Sequence, residues 1–178
     1  MDTQLIQNKF SKLGARAVVR PLTPTRWQRV VSSVVIDIGV DRRGEFFDIQ
    51  ATAEADVEVL DLQPRDRHLL LMSREDDRKD KFLCGHDERH WFVAGVPETA
   101  PVSSVITAKE ALKPELVREL ESGRRGKRKK RHRRKTKSFI RQGEWFFIPA
   151  PWLQVDERLV LSHEPISRGG GKPHFCEE

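Results

Sequence analysis

The chain has 178 residues, of which 37% are hydrophobic and 34% charged, a length that fits one domain or one domain with a small appendage. So high a charged fraction means that part of the chain is solvated rather than packed. No run approaches the roughly 18 apolar residues of a membrane helix, the opening MDTQLIQNKFSKLG is not a secretory signal, and Cys84 and Cys176 are too few for a secreted disulfide scaffold, so the cytoplasm is the expected compartment.

In chain order, the first half reads as short strands: Ala15–Arg20, Arg29–Ile38, Glu45–Gln50, Val57–Asp61, His68–Ser73, Lys81–Cys84 and Trp91–Val96. Each is rich in β-branched or aromatic residues, and prolines and glycines bound the series. Val40–Gly44 (VDRRG) has the polar turn and closing glycine of a hairpin loop. Arg74–Asp80 (REDDRKD) reads as a solvated loop. The period then changes to helical over Val102–Leu112 and Pro114–Leu120, with Ser103 or Ser104 as N-cap and Pro114 in a first turn. Gly123 is the expected stop. Ser138–Ile148 and Arg158–Ser162 return to strand character, and the tail HEPISRGGGKPHFCEE is loop, ending so abruptly at Glu178 that further chain is expected.

Between the helices and the later strands lies the feature that dominates the sequence. Arg124–Lys137 reads RRGKRKKRHRRKTK, 11 basic residues and no acid in 14 positions. The rest of the chain holds 22 Lys and Arg against 27 Asp and Glu, about −5, so an acidic body carries a cationic strap. Such closely spaced like charges repel and cannot pack into a core, so the strap is expected to be disordered alone. A nucleic-acid backbone relieves the repulsion by releasing condensed counterions, which alone supplies roughly 10⁻⁴ to 10⁻⁶ M affinity without base specificity. The expected contacts are Arg124, Arg125, Lys127, Arg128, Lys129, Lys130, Arg131, Arg133, Arg134, Lys135 and Lys137, helped by Arg141, Arg168 and Lys172. The blander reading is a targeting signal or a binder of any polyanion.

Both cysteines lie one residue from a histidine. Cys84 and His86, with His174 and Cys176, could supply a tetrahedral Cys₂His₂ zinc site, because residues two apart in a strand share a face. The spacing is not that of a standard finger, and a buried, inert Cys84 is the competing reading. A catalytic alternative uses His86, His90, His163 and His174 as general acids and bases on a phosphodiester, with Arg168 and Lys172 stabilising developing charge. No carboxylate cluster or nucleophile motif accompanies it.

Three further stretches carry weaker signals. Ser167–Pro173 (SRGGGKP) lacks the GxxxxGK[ST] spacing of a P-loop and reads better as a flexible loop. Val35–Gly44 resembles the strand opening of RNase H-like and actin-like folds, but no further carboxylate segment follows, and Asp37 reads as a strand-end turn residue. Trp27 and Trp152 are the aromatics expected to be exposed enough to stack a base. Gly143–Pro149 (GEWFFIP) is similar to the second half-motif of cupins, which implies a compact β architecture. Pro151 and Gln154 stand where cupins place a glycine and a histidine, so the resemblance implies no metal site.

The resulting expectation is an α+β, β-dominated fold: a compact antiparallel sheet or small barrel-like domain with one or two helices and a disordered basic loop. Residues 1–122 form the β-rich part with its helices, 123–137 the basic segment, and 138–178 a hairpin and glycine-rich tail packing on the first part. The expected function is nucleic-acid binding, to RNA or single-stranded DNA. The alternatives are a phosphodiester hydrolase, with zinc as the possible cofactor, and a scaffold component whose acidic body binds a protein. No membrane partner is expected.

Overall fold

The structure, a computed structural model, describes residues 2–22, 33–87, 89–122, 133, 135–142, 145–166 and 174–175, with backbone alone for Gln142, His174 and Phe175. Contacts divide the chain into two compact units, Met1–Ile148 and Pro149–Glu178. The expected hairpin after the strap thus belongs to the first unit.

That unit opens with a helix the strand-based reading passed over. In α1 (Thr3–Ser11), the Asp2 side chain accepts from the Leu5 N–H, and Ile6 and Phe10 are buried. Three strands follow: β1 (Ala17–Pro21), β2 (Val34–Asp41) and β3 (Gly44–Ala51), ordered β1-β3-β2. β2 and β3 form the hairpin expected at VDRRG. Its turn rests on Gly44 at φ 99° and on the Asp41 carboxylate, which accepts from the Arg43 N–H at 2.7 Å. β1 pairs with β3 in parallel, so the architecture is not wholly antiparallel. Asp37 sits within β2, opposite Asp48, rather than at a strand-end turn.

The second sheet is an antiparallel meander of β4 (Asp56–Gln63), β5 (His68–Glu75), β6 (Arg78–Asp87) and β7 (His90–Val96). Arg74–Asp80, expected as a loop, is instead a hairpin whose strands run on to Glu75 and from Arg78 around a turn holding Asp76 at φ 51°. A strand end that projects into solvent is as polar as a loop, so hydrophobic patterning does not distinguish the two.

Two cores lie on opposite faces of this meander. Phe47, Ile49, Leu69, Leu71 and Cys84 belong to one, together with Ile6 and Phe10 of α1. Leu70, Leu83 and Val96 belong to the other, with Val105 and Ala108 of α2 (Val105–Ala111). A strand buried on both faces reads as a continuous apolar run, which is why Leu69-Leu70-Leu71 shows no alternation. Truncating any of the three to alanine would cost about 2–5 kcal/mol. The sheets do not close into a barrel. The fold is α+β and β-dominated.

Ser104 caps α2 through a box with Thr107, and the Val105 N–H donates to Asp61 of β4 at 2.7 Å. α3 (Glu115–Ser122) starts directly after Pro114, whose carbonyl accepts from Val117 and Arg118. Past the strap, β8 (Ile140–Gln142) and β9 (Trp145–Phe147) pair with each other. In the second unit the stretch expected as a strand at Arg158–Ser162 begins as a 3-10 turn, Glu157–Leu159. Asp156 caps it, accepting from the Arg158 N–H at 3.1 Å. Leu159 and Leu161 stay exposed there, with no sheet partner among the described residues. That unit's described strands are the two-residue β10 (Pro165–Ile166) and β11 (His174–Phe175).

Candidate functional site

Arg124, Arg125, Lys127, Arg128, Lys129, Lys130, Arg131 and Arg134 lie outside the described residues, while Arg133, Lys135 and Lys137 are exposed. The last residues of the strap contact the chain just beyond it. Lys135 bridges Ile140, and the Thr136 hydroxyl accepts from the N–H groups of Ser138 and Phe139. Burial of the Phe139 ring, 1% exposed, fixes this turn.

Both feet of the strap rest on buried charge. On the upstream side, Lys113 donates to Glu121 of α3 at 2.6 Å and lies 2.9 Å from Glu110, with its ammonium over the Phe139 ring. On the downstream side stands Arg141 in β8. Arg141 was expected among the phosphate contacts, yet it is 9% exposed and packs over Phe92 of β7. It therefore anchors the strap rather than presenting its fork to solvent. Its charge reaches Lys109 of α2 and His68 of β5. The His68 Nδ1–H donates to the Asp66 carbonyl, leaving Nε2 buried without a partner among the described residues. Burial, and next the charge of Lys109, lower the His68 pKa to about 4.

Elsewhere in the same unit, the turns of β2–β3 and β6–β7 meet the segment after α1 in a cleft of about 480 Å³, lined by Gly14, Arg16, Arg43, Glu45, His86, Arg89, His90 and Trp91. Glu45 ties the turns together. One carboxylate oxygen accepts from His90 Nδ1 at 2.8 Å and the other from the Trp91 N–H at 3.0 Å. With Nδ1 so engaged, Nε2 is the ring nitrogen left facing the cleft, and the His90 side chain is 63% exposed. His86 lies edge-on to Trp91, whose ring carries the Arg67 guanidinium at 4.5 Å. Burial, then the Arg67 charge, push the His86 pKa down, so it is a neutral acceptor near pH 7. Arg16 forks onto Asp41 at 2.6 and 3.0 Å and also donates to the Gly44 carbonyl. That contact holds the Asp41 carboxyl below its usual range.

Of the four histidines proposed for catalysis, the structure brings His86 and His90 together. His163 is exposed in the second unit at φ 58°, and for His174 only the backbone is described. Of the zinc candidates, Cys84 is wholly buried in the first core, and burial pushes its thiol pKa up, which disfavours the thiolate a metal needs. Cys176 lies outside the described residues, as do Arg168, Lys172 and Trp27. Among the described residues no three His, Cys, Asp or Glu side chains group as metal ligands. Trp152 is 74% exposed. Among the described residues no helix is long and apolar enough to cross a membrane.

The reading of the sequence missed Glu45, Arg16, Arg43 and Arg89. The one signal available was local: Arg42-Arg43 and Asp87-Glu88-Arg89-His90 are both charged stretches between apolar runs. Comparisons with protein-family models, curated proteins and solved structures return no match to this chain.

Proposed function

We propose that the protein binds nucleic acid, RNA or single-stranded DNA, along the phosphate backbone through Arg124–Lys137, with Arg168 and Lys172 contributing. The carrying observation is the charge distribution: 11 cations without one acid in 14 residues, on a body of about −5. Arg133, Lys135 and Lys137 are exposed, as the reading requires, and the segment lies in the chain between Lys113 and Arg141, both held in the fold. Fluorescence anisotropy with a labelled single strand tests it. The intact chain should bind, and a chain with the strap's Lys and Arg replaced by Gln should lose most of that affinity. Equal binding by both chains contradicts the reading.

A second reading, phosphodiester hydrolysis, draws on one observation: His86 and His90 line a common cleft with three arginines. A neutral imidazole can take the proton of an attacking hydroxyl while a carboxylate-held imidazole gives one to the leaving oxygen. It predicts RNA cleavage that survives chelators and is lost in His90→Ala. Intact RNA after prolonged incubation with the unaltered protein retires it.

A further inference from the structure

We infer that the cleft between the β2–β3 and β6–β7 turns is a phosphate-binding site, its ligand-facing groups being Arg43, Arg89 and the Nε2 edge of His90. The assignment follows from which lining groups are already engaged. Arg16 spends its guanidinium on Asp41 and the Gly44 carbonyl. Both Glu45 oxygens accept hydrogen bonds, one from His90, so the cleft's acid is matched before any ligand arrives. Trp91 is covered by Arg67, His86 and Phe47, and so forms a wall rather than a stacking platform.

What remains is Arg43 and Arg89. Among the described residues neither guanidinium makes a hydrogen bond or a close ion pair, that of Arg43 acting on Asp41 only through its charge, and they stand on separate turns lining one cleft. Exposed arginines are ordinarily solvated singly; here two line a cleft whose positions are set by other bonds. Arg43 is held by its N–H to Asp41, and the β6–β7 turn by Glu45. Two forks with fixed bases match the planar, multidentate recognition that phosphate oxygens favour. A volume of about 480 Å³ takes a nucleotide-sized ligand. The site stands on geometry alone. Only the identification of its phosphate with that of a nucleic-acid strand rests on the proposed function.

The test titrates the whole chain with inorganic phosphate, with uridine monophosphate, and with a four-nucleotide uridine strand with and without a 5′-phosphate. Histidine ring signals are followed by NMR. His90 should shift saturably with each phosphate-bearing ligand, and the double variant Arg43→Ala/Arg89→Ala should weaken binding about tenfold or more. Arg42→Ala, a neighbouring exposed arginine outside the cleft, should leave it unchanged. Tighter binding of the 5′-phosphorylated strand identifies a terminal phosphate as ligand, and equal binding a backbone phosphodiester. An unmoved His90, or undiminished affinity in a double variant that keeps its amide spectrum, overturns the site. With the strap neutralised, uridine monophosphate should still move His90 while long RNA no longer binds. In the intact chain, long RNA bound without a cleft response sinks the cleft alone, whereas a cleft response without long-RNA binding sinks the nucleic-acid reading alone.

Discussion

The strap and the far face of the second sheet both gather positive charge, and they hold it in opposite ways. Under α2 and α3, Lys113 is 4% exposed and sits between Glu121 and Glu110, while Lys109, 6% exposed, lies 3.6 Å from Asp66. These cations are covered, each with an acid beside it. In Arg124–Lys137 eleven cations share no acid within the segment, and the three described ones are exposed. Burial of a charge demands a partner inside the molecule; charge left in solvent without one is available to a partner outside. The same residue types thus build the fold in one place and, in the other, form the segment proposed to bind nucleic acid. What separates them in the sequence is that the segment holds no carboxylate of its own.

The sharpest way to break this contrast is to orphan a buried charge. Lys113→Ala leaves Glu121 buried beside nothing, and urea unfolding should show a loss of about 3–5 kcal/mol. The double change Lys113→Met/Glu121→Leu should recover most of it. A single variant as stable as the parent would mean the pair is not buried in solution.

Next in size is acid. His68 binds a proton in the fold only near pH 4, whereas an unfolded histidine does so near 6.5. Above pH 6.5 neither state is protonated there and stability is unaffected. Between 6.5 and 4 the unfolded chain takes up a proton that the fold refuses, so stability falls as pH falls, by at most about 3 kcal/mol. Urea midpoints at pH 7 and pH 4.5 should differ less in His68→Leu than in the parent, and parallel pH dependences would refute this. Gly85→Ala acts on the same ring. The added methyl would lie 2.5 Å from His68 Cδ2 and 2.9 Å from Phe92 Cε1, and it should destabilise by about 1–3 kcal/mol in the same assay. Smallest of all is the strap: exchanging four of its arginines for glutamine should change unfolding free energy by under about 0.5 kcal/mol. A larger loss would place the strap inside the fold.

Much of the strand framework was legible, because Leu69–Leu71, Phe46-Phe47 and Trp91–Val93 declare sheet by composition alone. α1 was not, since its apolar residues Ile6 and Phe10 are few and flanked by polar ones, and its burial depends on strands far along the chain. Arg158–Ser162 looked like a strand because Leu and Val favour one, but a strand needs an edge to pair with, and among the described residues none pairs there. The site divides similarly. The strap is a local run and was read directly, whereas Arg141 looked like more of it, and only the fold shows that its guanidinium packs over the Phe92 ring. The cleft joins residues from Gly14 to Trp91, a convergence that follows from sheet register and not from spacing.

The most direct measurement of the central claim is the slope of log binding constant against log salt for a labelled single strand. The intact chain should give a steep negative slope, about −0.7 per phosphate neutralised on a single strand, and the strap-neutralised chain a nearly flat one at unchanged stability. Identical slopes for the two chains would contradict it.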